Sequence, residues 1–189
     1  MHKTAGISLT FLLSILMLLF YSGFQSGPGA DDAYRPPGFE EDSLEVIRLN
    51  NQAEIYGYLY MLDSAIHAFG RVTESVRPLL QHSRDSLLRA LYVDSYFNRG
   101  YFTQLKGELD AAKKIQDTTL NLVLEHFGEE HLITTKVYNK FGWMAYARGD
   151  FRKAHHYLKH SLDIRKRILT EPDMFLSHGY NNLSVHYAN

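Results

Sequence analysis

Two histidines four residues apart, His156 and His160, are the residues in this 189-residue chain with the most suggestive spacing for chemistry. On a helix that spacing puts both imidazoles on one face, where they could close on a single cation. No third ligand accompanies the pair, no Glu lies between them as zinc-protease chemistry needs, and His155 points elsewhere. A solvated helix face accounts for them. The adjacent carboxylates Glu129 and Glu130, like Asp31 and Asp32, fall in loop-forming stretches and lack the fixed separation of an acid/base pair. The chain has no cysteine, which removes thiol nucleophiles, Cys-ligated zinc, iron–sulfur clusters and disulfides. Gly-x-Ser-x-Gly, a phosphate loop and a dinucleotide fingerprint are missing too. The expectation is a non-enzyme with no catalytic residue, metal or cofactor. Twenty Lys and Arg against 21 Asp and Glu give a net charge of -1, without the cationic surplus that tracking nucleic acid requires.

The elements behind these side chains begin after a distinct N-terminal stretch. Lys3 is followed by an apolar run from Ile7 to Tyr21, the pattern of a secretory signal and short for a membrane span. Residues 1–30 therefore read as a signal peptide or membrane anchor, and the product as exported or membrane-held. Membrane contact is expected through this segment only. Residues 31–43, with Pro36-Pro37-Gly38, read as a stiff linker.

From residue 44 onward the chain repeats itself. Tyr96, Gly100, Gly107, Ala112 and Leu120 recur as Tyr138, Gly142, Gly149, Ala154 and Leu162, all at one constant offset. The same step carries Tyr138 to Tyr180 and Asn139 to Asn181, and a looser copy starts near Asn51. Each unit reads as two amphipathic helices around a Gly-acid turn. In the best copy Val137, Tyr138, Phe141, Met144 and Ala145 form one apolar stripe, and Ala154, Tyr157, Leu158, Leu162 and Ile168 the other. Arg152, Lys153, Lys159, Arg165 and Lys166 fall on the wet side of the second helix. Gly142 and Ala154 are small where the paired helices must approach closely. Helices are expected at 44–60, 62–77, 86–105, 108–126, 131–147, 151–169 and 174–188. The last would be the first helix of a fourth pair, so the chain is expected to be the N-terminal piece of something longer, with an array that ends on that helix as the alternative.

A small residue, an aromatic or Ala three on, a Gly-Asp-Phe turn, Ala and a large apolar residue together resemble the tetratricopeptide repeat. The 42-residue unit and the linker Gly128-Glu129-Glu130-His131 resemble the variety in kinesin light chains and in bacterial proteins with a caspase-like CHAT domain. That resemblance, over residues 44–189, implies an all-α, right-handed solenoid of antiparallel helix pairs that binds protein or peptide in a concave groove. It also implies what lines the groove: Asn50 and Glu54 from the first copy, Phe97, Asn98 and Tyr101 from the second, Lys136, Asn139, Trp143 and Tyr146 from the third, His178 and Asn181 from the fourth. Amides in such a row offer donor and acceptor together to an extended backbone, and the aromatics offer apolar pockets. Designs of this kind continue into a CHAT peptidase-like domain or into a membrane span and sensor histidine kinase. A spacer without any ligand is the rival of a different class.

Overall fold

The computed structural model describes residues 37–169. The leader, the start of the linker, His178, Asn181 and the helix expected at 174–188 lie outside the described residues. Among the described residues six helices follow one another: α1 (Phe39–Tyr58), α2 (Leu62–Leu79), α3 (Ser86–Leu105), α4 (Leu109–Phe127), α5 (Leu132–Ala147) and α6 (Phe151–Ile168). No strand occurs among them. Over the described residues the fold is an all-α solenoid of three helix pairs.

The first helix starts before the expected residue 44. A turn at Pro37-Gly38 precedes it, and Glu40, Glu41 and Asp42 then occupy the first turn of the helix, where acidic groups favour the helix dipole. Phe39 is buried in the core beside Val46 and Leu49, so the end of the linker stretch is part of the packed structure.

Glycine at the helix crossings follows from distance. A Cβ on Gly142 would lie 2.6 Å from Cγ of Leu158 in α6, closer than carbon atoms tolerate, so α5 and α6 touch where the side chain is missing. Gly100 repeats this against Ile115 of α4 at 3.1 Å. Gly57 repeats it between pairs, its absent Cβ overlapping the Phe102 ring of α3.

The three turns share one backbone. Tyr60, Gly107 and Gly149 adopt left-handed φ values of 55°, 92° and 76°, and each N–H reaches back three residues while the next reaches back five. This is the Schellman closure of a helix end, which favours glycine at the left-handed position. In the first turn a tyrosine takes that conformation, at a local cost of roughly 1–2 kcal/mol.

Neither of the first two pairs closes its own core. Val46 and Leu49 of α1, Val72 and Val76 of α2, and Leu88 and Tyr92 of α3 form one cluster. Val93 and Phe97 of α3, Val123 of α4, and Val137 and Phe141 of α5 form the next. Arg165, expected on the wet side, is buried instead: its Nε donates to Thr135 Oγ1 at 3.0 Å, and Ser161 Oγ donates to the Thr135 carbonyl at 2.7 Å. A cation is tolerated there because α5 supplies its acceptor.

These contacts give two glycines opposite responses. Gly142→Ala should destabilise the fold by about 1–3 kcal/mol through overlap with Leu158, despite the better helix propensity of alanine. Gly70→Ala, in α2 with open space around the new methyl, should stabilise it by about 0.5–1 kcal/mol. Urea unfolding of both variants checks the pair. Equal responses would show that the close approach does not control the crossing.

Candidate peptide-binding face

The first helices α1, α3 and α5 lie side by side, and their shared face is joined by polar contacts across each boundary. Asn98 Nδ2 on α3 donates to Glu54 Oε1 on α1 at 3.1 Å. Lys140 Nζ on α5 pairs with Asp94 Oδ1 on α3 at 2.8 Å and stands 4.8 Å over the Phe97 ring. Much of the Glu54 side chain meets solvent, yet burial of its carboxyl raises its pKa; Lys140 opposes that rise, Asp94 adds to it, and the Asn98 hydrogen bond opposes it. The strip therefore joins three helices by ion–dipole, ion-pair and cation–aromatic contacts.

Beside the strip, towards the turns, stand aromatic rings. Trp143 and Tyr146 meet edge to face at 5.7 Å, and Tyr146 meets Phe151 of α6 at 5.5 Å. Trp143 is 37% exposed and Phe151 is exposed. Tyr101, one repeat earlier than Trp143, is half-buried and stacks 6.4 Å from Phe97. Gln104, one repeat earlier than Tyr146, is buried, and its Oε1 accepts from Gln116 at 3.1 Å and from Arg148 at 3.2 Å.

Of the residues expected to line the groove, Glu54, Lys136 and Trp143 are exposed, while Asn98, Tyr101, Asn139 and Tyr146 are half-buried. Phe97 is not a lining residue. Only 6% exposed, it packs 5.5 Å from Phe141 in the core under Lys140, because the second copy holds an apolar ring where the first and third hold Asn50 and Asn139. Asn50 is half-buried, with its Oδ1 enclosed and without a hydrogen-bond partner, so that acceptor is not offered to a ligand. Gly57, aligned with Gln104 and Tyr146, is covered by Phe102. Asp94 and Lys140 stand on the face without being in that set. Asp94 lies one repeat before Lys136, so the repeat alone could have found it. A separate cleft of about 360 Å³ between α1 and α2, bordered by Gln52, Tyr56, His67 and Arg71, shares no residue with this face.

The histidines have structural neighbours. His160 Nε2 is 3.2 Å from Glu129 Oε1, its ring meets Tyr138 edge to face at 4.6 Å, and His156 stacks on it at 6.2 Å. Among the described residues no group of three or more His, Asp or Glu side chains is arranged to hold a metal ion. His131 caps α5, its Nδ1 accepting from the Ile133 N–H at 3.1 Å. Burial, then Lys136, lower its pKa.

The His131 cap makes the stability of the α4–α5 joint depend on pH. A pKa lower in the folded than in the unfolded chain means that the contribution is full above the ordinary histidine range and is lost as pH falls through the folded value. Protonation turns the acceptor into a donor at a helix N-terminus, where positive charge is unfavourable. His131→Asn keeps a cap without the titration, so its melting temperature should fall less than that of the wild type between pH 7.5 and 5.5. Burial also lowers the His126 pKa, so some slope will remain. Parallel curves would remove His131 from the account.

Residues 86–167, which hold α3 to α6, match the family model described as tetratricopeptide repeat. No curated protein matches the chain. Among solved structures, the crystal structure of BtubC (BKLC) from P. vanneervenii aligns over 95% of this chain at 18% identity, with a TM-score of 0.51. The aligned region spans 65% of that protein's length, and at this identity the likeness concerns the fold alone.

Proposed function

From a chain whose residues 86–167 match the model of the tetratricopeptide repeat, a scaffold that generally binds proteins or peptides and is typically non-catalytic, we propose a protein-interaction module that takes an extended peptide segment along the face of α1, α3 and α5. The observation that carries this reading is the continuity of the face. A polar strip from Glu54 through Asn98 and Asp94 to Lys140 runs beside the rings of Tyr101, Trp143 and Tyr146. Polar side chains can meet a peptide's N–H and C=O groups, while a half-exposed indole supplies an anchor that loses little freedom on binding.

Trp143 is the single tryptophan, which makes the test direct. An array of short synthetic peptides probed with the full chain should yield binders that shift Trp143 emission. Trp143→Ala should weaken those binders about 30-fold, the size expected of an aromatic hot spot. Asn139→Ala should weaken them less, with little loss of stability for either variant. A spacer without a ligand predicts the reverse: no peptide retained, and a lower melting temperature for both.

The same reading extends to the whole molecule. The apolar run after Lys3 supports export or membrane attachment, and the 42-residue unit supports the kinesin-light-chain or CHAT-associated type. The repeating pattern continuing to Tyr180 and Asn181 supports a place at the N-terminal, regulatory end of a longer bacterial protein. A continuation into a sensor histidine kinase would give the face the same role towards a different output domain. The mass of the N-terminus recovered from cells checks the leader: a chain that begins between Tyr21 and Asp31 marks a signal, and an intact N-terminus in the membrane fraction marks an anchor.

A further inference from the structure

The first turn breaks the pattern of the other two at its two most demanding positions. Gly107 and Gly149 are followed by Glu108 and Asp150, whereas the first turn holds Tyr60 and Met61 in the same backbone conformation. Asp150 caps its helix through Lys153 N–H at 3.0 Å; Glu108 makes no such bond, and Met61 has no side chain able to make one. Neither substitute serves the core. Tyr58 is 82% exposed, Leu59 58%, Tyr60 76% and Met61 45%. The chain thus gives up local stability to hold four large apolar side chains out in solvent.

We propose that this turn is a lipid-contacting tip that enters the interfacial layer of a bilayer. Residues 55–62 contain no charged side chain. The N–H groups of Leu59, Tyr60, Met61 and Leu62 are all taken up within the turn, by the carbonyls of Ile55, Gly57, Tyr56 and Tyr60 at 2.9–3.1 Å. A backbone whose donors are already satisfied can leave bulk water cheaply, and tyrosine is at home where hydrocarbon gives way to headgroups. Behind the tip, Lys106 pairs with both Asp63 and Glu108 at 2.8 Å, so neighbouring charges are bonded to each other. A protruding turn also needs no complementary cleft, which a fluid layer does not provide. The chain's own apolar run ending at Tyr21 supplies a route to the membrane.

The full chain tests this with one tryptophan at a time, in phosphatidylcholine vesicles carrying brominated acyl chains that quench nearby indoles. Wild type reports from Trp143 on the peptide face. Trp143→Phe combined with Tyr58→Trp, or with Tyr60→Trp should the first fold poorly, reports from the tip. Quenching at the tip should be at least threefold stronger than at Trp143, and adding Leu59→Asp should reduce it to the Trp143 level. Restoring the usual turn with Tyr60→Gly and Met61→Asp should raise the melting temperature by about 4 °C while abolishing tip quenching. Equal quenching at the two positions would overturn the proposal, as would chain that stays off the vesicles. A tip indole that answers to a soluble protein and not to lipid would assign the turn to a protein cleft and overturn it too. No gain in melting temperature would remove its premise. Peptide binding at Trp143 is scored separately, so either idea can fail alone.

Discussion

Each hydrophobic core cluster among the described residues is built from three helices, two from one pair and the third from a neighbouring pair. That sharing is the constraint from which the rest follows. A pair alone would leave one apolar flank in water, so Val46, Val72 and Leu88 meet only because a following helix arrives. The arriving helix must come close, and small residues are the means. Gly57 receives Phe102 between pairs, as Gly142 receives Leu158 within one. Stacking in register is then forced, because every pair offers its successor the same kind of surface.

Register has a second effect. Once α1, α3 and α5 lie side by side, side chains a whole repeat apart in sequence become neighbours: Glu54 with Asn98, Asp94 with Lys140, Gln104 with Arg148. The face is a by-product of burying the opposite sides of the same helices. Its chemistry is free to vary from copy to copy, whereas the glycines and alanines that set the approach are not. Bonds across the face also tie neighbouring first helices together, so a peptide lying there would find a surface organised in advance.

What could be read from the sequence divides along the same line. The helix pairs and close-approach glycines were legible because a steric demand that returns in every unit leaves a residue type that returns with it. Phe97 was misplaced because position in a repeat indicates a face, not how deep a particular side chain sinks; a ring slid under Lys140 where asparagine would have stayed nearer the surface. Arg165 was misread because charge usually implies water, and the hydroxyl that makes its burial tolerable belongs to Thr135 on the preceding helix. The start of α1 was missed because the apolar period begins only after an acidic turn. Tyr60 gave no turn signal of its own. Its backbone is set by the two helices it joins, which bring the chain round whatever residue stands there.

The joints between pairs are not alike. α2 and α3 run together over much of their length, whereas α4 and α5 approach over a shorter stretch around the Gly128–His131 linker. Contacts from that linker to α6, Glu129 with His160 and the ion pair of Glu130 with Arg167, brace it from outside. The second joint is held instead through α3, whose Val93 and Phe97 share a core with Val137 and Phe141 of α5. Tyr101 and Trp143 stand on opposite sides of that joint, so its packing sets the distance between the two rings.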